Sequence, residues 1–346
     1  MAIFILKKSL YGMLVLLGVL LLVFTLFQGL GDPARLIMGQ TADKATIQNI
    51  RKELALDEPK WKQFLIYIND VSPLSIYPEK AIFQKNLNGF FIGGHYKVGI
   101  KLPYLGRSYQ SRKTVTAILT EAFPNTILLT VAAILMAFLL GISLGVLAAV
   151  KKGSWIDTTT VFTSILGISV PSFFTGIVIA YLFGFLLSQY TGLHMLGSLY
   201  YIDPFKVKQL DLKNLILPAI TLGIRPLAIF TQLTRSSLLN ELQQDYIRTA
   251  YAKGLARTKV LFVHALKNAL NPIITAITGW FAELLAGAFF VEYIFGWNGI
   301  GKVTVDALEQ LDFPVVMGSV LLTACFFIVM NILSDVLYAW IDPRVK

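Results

Sequence analysis

Long apolar runs, separated by short clusters of charge, constrain this chain more than any other feature of its sequence. Six segments each have about the 20 residues that a helix needs to cross a bilayer. They cover residues 9–30, 125–150, 161–187, 215–234, 271–290 and 314–334. Charged residues make up only 14% of the 346 residues, against roughly 25% in ordinary soluble domains. The chain is therefore predicted to be an all-α membrane protein with six transmembrane helices.

The positive charges of the short loops predict the orientation of these spans. Basic residues precede span one, join spans two and three, join spans four and five, and end the chain. With six spans, these four segments fall on one side, which the positive-inside rule assigns to the cytoplasm. Both termini are predicted to be cytoplasmic, in a multi-pass protein of the cell inner membrane. The net charge of +10 fits basic cytoplasmic loops that face anionic lipid. The sequence has no basic stripe of the kind that binds nucleic acid, so we expect no nucleic-acid partner.

The region before span two divides into an anchor and a long loop. Residues 1–30 are predicted to form an uncleaved N-terminal anchor helix, because the apolar run is too long for a signal peptide. Residues 31–118 are predicted to form an external, periplasmic loop of soluble character, with helices at about 46–54 and 59–68. The stretch Phe90–Gly94 indicates a hairpin. Residues 119–341 hold spans two to six.

Sequence motifs for catalysis and cofactor binding are missing from the chain. It has no G-x-x-x-x-G-K-[ST] phosphate loop, so we expect no ATP site of its own. His95, His194 and His264 lie in separate loops and form no metal-ligand cluster. No serine elbow or Cys/His pair stands at a useful spacing. We therefore expect no catalytic, cofactor-binding or metal-binding residues in this chain, which is not an enzyme.

The loop between spans four and five has the most specific pattern. Tyr246, Ala250 and Lys253 fall at helical spacing, and Gly254 stands where a left-handed cap would end a short helix. A second helix is predicted to begin near Arg257 and to continue into span five. The physical pattern leaves two interpretations open: a rigid lever seated in a partner's groove, or an ordinary amphipathic helix on the membrane surface.

Two charges interrupt the spans: Arg225 in span four and Glu283 in span five. An ionisable group inside a membrane is expensive and usually functional. One hypothesis is that both face a transport pathway, either paired with each other or in contact with a zwitterionic substrate. The alternative is a structural ion pair between the two spans.

Residues 248–255 read RTAYAKGL, which resembles the E-A-A-x-x-x-G coupling motif of ABC importer permeases. Other segments are similar to the peptide/nickel branch of that family, in the same order along nearly the whole chain. They are GDPA at 31–34, LALDEP at 54–59, ISVPSF at 168–173, LPAI at 217–220, TRSS at 234–237, EYIFGWNGIG at 292–301 and DPR at 342–344. The pattern is most similar to the B-type subunit of dipeptide and oligopeptide permeases.

The resemblance implies a type I ABC importer permease fold, with residues 119–341 as its transmembrane domain and a coupling loop at about 235–270. It implies a second, C-type permease subunit, two ATPase subunits that bind ATP and Mg, and an external substrate-binding protein. In the coupling loop, Arg248 and Lys253 would contact the ATPase and Gly254 would set the turn. The residues expected to fill the ATPase groove are Tyr246, Ile247, Ala250 and Tyr251, and Asp245 and Thr249 complete the loop.

Three features depart from the family pattern, one of which is the pair of charges inside the spans, Arg225 and Glu283. Residues 77–105 make the first loop longer than usual, and Asn298 stands where the family usually has Pro. A secondary transporter driven by an ion gradient is the alternative function. It would normally show internal symmetry with broken helices in corresponding halves, and the sequence shows no repeat.

Overall fold

The computed structural model describes residues 2–28, 51, 56–201 and 209–341. The GDPA and DPR segments, and the helix expected at 46–54 apart from Arg51, lie outside these residues. The described chain is mainly helical, which agrees with the predicted fold class. In the described part of the chain, four helices are long and apolar enough to cross a membrane: Ile5–Leu26, Val115–Val150, Lys213–Glu241 and Phe313–Val336. Two bent helix pairs bring the number to six if each pair is one span.

The third span is broken, although the sequence predicted one helix that tolerates Pro171. Helix Trp155–Ser169 and the pair's second part, Ser172–Leu186, meet at an angle of 108°. Val170 between them is extended, with φ −81° and ψ 132°. A residue before proline is pushed out of the α region by the proline ring, which explains the break. By contrast, Pro218 and Pro226 remain inside helix Lys213–Glu241.

The chain divides into two units, of which the first comprises residues 1–9, 122–302 and 325–346. We number the helices of the whole chain in order. The first unit contains α5 (Trp155–Ser169), α6 (Ser172–Ile179), α7 (Ser188–Thr191), α8 (Lys213–Glu241), α9 (Asp245–Ala252), α10 (Arg257–Lys259), α11 (Leu266–Ala269), α12 (Asn271–Gly287) and α13 (Phe289–Phe295). Its other elements are π-helical turns at Ala180–Leu186 and Val260–Ala265 and the strand pair β4 (Tyr200–Tyr201) and β5 (Gln209–Leu210). Its main core packs Leu129, Phe295 and Trp297 among other apolar side chains.

The second unit comprises residues 10–121 and 303–324. It contains α2 (Lys60–Val71), β1 (Leu74–Pro78), α3 (Glu79–Lys85), β2 (Gly89–Gly93) and β3 (Tyr96–Lys101). Four helices have residues in both units: α1 (Ala2–Gln28), α4 (Val115–Val150), α14 (Ile300–Glu309) and α15 (Phe313–Ile341). The strands form an antiparallel sheet in the order β1-β3-β2, and the predicted hairpin is confirmed by the pairing of β2 with β3.

Two hydrogen bonds to Asp312 fix the end of the sheet-bearing loop of the second unit, just before α4 begins. The Ser108 hydroxyl donates to Asp312 Oδ2 at 2.5 Å, and the Tyr109 N–H donates to Asp312 Oδ1 at 2.9 Å. Burial raises the pKa of the Tyr109 phenol to about 12. Beyond these bonds along the chain, Val115 and Leu119 pack against apolar residues of the segment 307–316.

Candidate coupling surface and intramembrane charges

The loop between α8 and α12 folds as a short helix closed by a glycine. Helix α9 runs from Asp245 to Ala252, and Gly254 follows with φ of +78°. This is the left-handed region, which glycine adopts freely and residues with a Cβ adopt under strain. The N–H of Leu255 donates to the carbonyl of Ala250, which satisfies the end of the helix. Gly254 therefore has the conformation that its sequence context predicts.

The inner side of α9 packs onto this chain. Ile247 is 1% exposed and Ala250 is 8% exposed. Both belong to an apolar cluster whose other buried members are Val146, Ala149, Leu238, Val260, Ala265 and Ala269. The expectation that Ile247 and Ala250 fill a groove on a partner is therefore wrong, because both side chains fill the core beneath their own helix.

The outer side of α9 is open to solvent and holds the remaining predicted residues. We call this side the coupling surface: the predicted residues Asp245, Tyr246, Arg248, Thr249, Tyr251 and Lys253, together with Ala252. The Asp245 and Arg248 side chains are 95% and 78% exposed, and their 3.4 Å contact joins residues three apart on the helix. An exposed pair of this kind contributes little stability. The coupling surface is therefore available to another protein.

A polar bridge ties the coupling surface to the helices on either side. The Tyr246 hydroxyl donates to Glu241 Oε2 at 2.5 Å, and the Asn268 side-chain amide donates to the Tyr246 hydroxyl at 3.0 Å. Partial burial, followed by the hydrogen bond to Glu241, raises the pKa of the Tyr246 phenol. The phenol therefore stays protonated and links the end of α8, the start of α9 and α11.

Sequence reasoning missed a second polar link, between α5 and α8. The Arg235 guanidinium donates to both carboxylate oxygens of Asp157, at 2.5 and 2.9 Å. The N–H of Gly153 donates to the same carboxylate at 2.9 Å. Ser154 and Asp157 stand three residues apart at the start of α5, which is the spacing of an N-terminal cap, but nothing in the sequence pairs Asp157 with a residue 78 positions away.

Arg225 and Glu283 are both exposed on the isolated subunit. Within the described residues they form no ion pair with each other. The Arg225 guanidinium instead lies 6.0 Å from the centre of the Trp280 ring, within the range of a cation–π contact. The structural ion pair between the two spans, one of the two sequence-based alternatives, is therefore not found among the described residues of the isolated subunit.

Glu292 is a buried carboxyl group whose role the sequence did not reveal. Its side chain is fully buried, and Oε2 accepts hydrogen bonds from the N–H groups of Gly301 at 2.6 Å and Lys302 at 3.3 Å. These groups open α14, so the carboxyl group caps that helix. A Cβ at Gly299 would collide with the Glu292 carboxyl group, which explains why glycine is needed there. Burial raises the pKa of Glu292 to about 7, against the opposing effect of its hydrogen bonds.

Asn298, the departure from the family's usual proline, lies beside this cap. Its carbonyl accepts a hydrogen bond from the Asn125 side-chain amide at 2.7 Å, and the Trp297 indole N–H donates to the Asn125 carbonyl at 3.0 Å. The first of these bonds needs the backbone carbonyl of Asn298 and not its side chain. Among the described residues, no group of three or more His, Cys, Asp or Glu side chains is placed to hold a metal ion.

The helical arrangement defines the class of protein. The chain is similar to an inward-facing crystal structure of the MetNI methionine ABC transporter, with a TM-score of 0.50 and 15% identity. The match covers 66% of this chain and 97% of the solved chain. At this identity the likeness shows the fold alone, which is that of a type I ABC importer permease.

Family models and relatives then give the family. Residues 141–346 match the model of binding-protein-dependent transport system inner membrane components, and residues 1–75 match the N-terminal model of such membrane components. The chain belongs to this family of membrane-embedded transport subunits. Membership of this family does not support the alternative function, a secondary transporter driven by an ion gradient.

Three curated relatives illustrate the likeness. The dipeptide transport system permease protein DppB of Alkalihalophilus pseudofirmus is 32% identical, over 96% of this chain and 96% of the relative. DppB of Haemophilus influenzae is 42% identical, over 70% of this chain and 76% of the relative. The glutathione transport system permease protein GsiC of Salmonella choleraesuis is 34% identical, over 99% of this chain and 98% of the relative.

Proposed function

We propose that this chain is the B-type permease subunit of an ABC importer that carries dipeptides or oligopeptides across the inner membrane. The observation that supports this most strongly is its likeness to dipeptide permeases along nearly the whole length of both chains. The glutathione permease, at similar identity and coverage, also takes its name from a short peptide. A peptide substrate is the chemistry that these relatives share.

The complete importer would contain a second, C-type permease subunit, two ATPase subunits that bind ATP and Mg, and an external substrate-binding protein. The coupling surface supports an ATPase partner, because it presents exposed polar and aromatic side chains on a helix that is firmly packed from behind. The basic loops support an orientation with the coupling surface and both termini in the cytoplasm. Residues 31–118 would then be external and residues 119–341 would form the transmembrane domain.

Force applied to α9 would reach the spans by two polar links and one apolar contact. Ile247 and Ala250 join α9 to the cluster that includes Leu238 of α8. Tyr246 joins α9 to Glu241, and Arg235 joins α8 to Asp157 of α5. A change in position of the ATPase would therefore move α8 and α5 together, as alternation between two states requires.

Reversing one charge on the coupling surface tests this proposal. The Arg248→Glu variant should assemble with the other subunits but lose peptide uptake and the stimulation of ATP hydrolysis by the loaded binding protein. The matched control is Lys151→Glu, which reverses an exposed basic residue in the loop between α4 and α5. Normal stimulation in Arg248→Glu, or equal loss in both variants, would contradict the assignment of the coupling surface.

Arg225 and Glu283 are proposed to face the substrate pathway. Both are exposed and neither pairs with the other, so their charges can meet the termini of a zwitterionic peptide. Arg225 would contact the carboxylate, for which a guanidinium offers a fork of donors. Glu283 would contact the ammonium group.

A double substitution to leucine, Arg225→Leu with Glu283→Leu, should leave assembly intact and abolish uptake. In Arg225→Leu alone, a peptide with an amidated C-terminus should be carried as well as its free acid, whereas the unaltered importer should prefer the acid. Arg225→Lys serves as the control that keeps the charge. Uptake at the normal level in the double variant would remove both residues from the pathway.

A further inference from the structure

The sheet of the second unit buries its polar side and exposes its apolar side. Successive strand residues point to opposite faces. In β1, Ser75 and Tyr77 are 2% and 4% exposed, whereas Leu74 and Ile76 are 67% and 56% exposed. This is the reverse of a sheet that has one face in the protein core and the other in water.

Strand register gathers the exposed residues into one continuous patch. Ile100 of β3 pairs with Leu74 on one side and Phe90 on the other, and Val98 pairs in the same way with Ile76 and Ile92. We call these two cross-strand rows the apolar sheet face. Its six members, each more than half exposed, are Leu74, Ile76, Phe90, Ile92, Val98 and Ile100.

A network of paired polar groups occupies the opposite face of the sheet, so the sheet cannot turn its apolar face inward. The Asp70 carboxylate of α2 accepts from Lys85 Nζ at 2.5 and 2.7 Å and from the Tyr77 hydroxyl at 2.5 Å. Lys101, 4% exposed, donates to the backbone carbonyls of Asp70 and Ser72. Because these polar groups are paired, the direction of the sheet is fixed, and the apolar face points outward.

Aromatic contacts hold this loop against the end of the first membrane span. The Phe24 ring lies 5.1 Å from the Phe64 ring and 6.0 Å from the Tyr67 ring of α2. Phe24 belongs to the last turn of the span Ile5–Leu26. The sheet packs on α2 through β1, so the described part of this loop is fastened at the level where α1 leaves the bilayer.

We propose that the apolar sheet face lies in the bilayer, in the leaflet at the end of α1 marked by Phe24. A large apolar patch on a protein surface indicates an interaction site, and a monotopic surface combines such a patch with basic charge. Residues 56–114 contain nine Lys or Arg residues and four Asp or Glu residues, which complements anionic lipid headgroups. Tyr96, 64% exposed at the border of the patch, has the amphipathic character typical of the membrane interface.

A permanent neighbour fits this patch better than a transient one. A substrate-binding protein that docks and leaves would return the apolar sheet face to water in every transport cycle. Lipid covers it throughout the cycle, and the two spans flanking the loop guarantee that lipid is close. The proposal depends only on the chain crossing a membrane and holds for either orientation.

Fluorescence quenching by lipid tests this placement in the full complex reconstituted into nanodiscs of phosphatidylcholine and phosphatidylglycerol. Cys325 is the chain's only cysteine, so Cys325→Ala gives a background for single cysteines. A bimane label on Val98→Cys should emit at shorter wavelength and lose intensity when the lipid tails are brominated. Ile92→Cys provides a second position if the first variant folds poorly.

The matched control is Gln84→Cys, an exposed polar position on α3 in the same loop, whose label should be indifferent to brominated lipid. Two results would overturn the proposal. One is a label on the apolar sheet face that water-soluble iodide quenches and brominated lipid does not. The other is shielding that appears only when the binding protein is added, or only when the second permease subunit is present.

Discussion

The coupling loop and the sheet-bearing loop obey the same periodic rules with opposite results. In helix α9, burial follows the helical period: Ile247 and Ala250 are buried, and charged side chains face water. The sheet repeats with a period of two, buries Tyr77 and Lys101, and presents apolar side chains outward. Periodicity therefore determines which residues share a face. It does not determine which face is covered, because this depends on whether the surroundings are water, lipid or protein.

The largest expected effect comes from the buried side of the coupling helix. Ile247→Ala removes a fully buried side chain and should cost about 2–5 kcal/mol of local stability, because a cavity forms beneath α9. We expect faster protease cleavage of residues 242–256 and loss of ATPase stimulation. Tyr251→Ala, on the exposed side, should weaken ATPase binding without faster cleavage. Equal protease sensitivity in both variants would break the contrast between the two sides of α9.

The next effect concerns the polar side of the sheet. Asp70→Ala leaves Lys85, Tyr77 and the surrounding loop without their shared acceptor. Leaving a hydrogen-bonded charged group unsatisfied costs about 1.5–3 kcal/mol. Hydrogen exchange of β1 and β3 should accelerate, while exchange in α9 stays unchanged. Glu79→Ala is the control, because its ion pair with Lys97 is on the surface, with the Glu79 side chain 57% exposed. If Asp70→Ala left exchange unaltered, the polar network would not set the direction of the sheet.

Sequence reasoning predicted what local chemistry decides. The hairpin followed from turn residues, the end of α9 from Gly254, and the spans from hydropathy. The sequence could not predict long-range pairing, because Asp157 meets Arg235 only where α5 and α8 pack together. The third span breaks at Pro171 but α8 continues through Pro218 and Pro226, so the presence of a proline does not by itself determine whether a helix is interrupted.

The same limit explains the errors at the candidate site. Helical spacing grouped Ala250 with Tyr246 and Lys253, and the sequence did not show that Ala250 and Ile247 face the core of their own chain. The first loop was expected to have soluble character because of its charges, proline and glycine. Its strands instead gather six large aliphatic and aromatic side chains on the face that α2 does not cover, a property visible only once the strand register is known.

Glu292 sharpens the comparison, because it is a buried acid that has no cationic partner among the described residues, whereas Asp70 is paired with Lys85. The raised pKa, from the ordinary 4.5 to about 7, means that the folded state binds more protons than the unfolded state between these values. Stability contributed by Glu292 is therefore complete below about pH 4.5, falls as the pH rises to about 7, and is constant above it, with a slope of at most about 1.4 kcal/mol per pH unit. Glu292→Gln keeps an acceptor for the N–H of Gly301 and removes the titration. Thermal unfolding of the purified complex across pH 4.5–8 should give a wild-type minus variant difference that declines over this window. A flat difference would show that the protonation state of Glu292 does not change across this range and that burial does not raise its pKa as described.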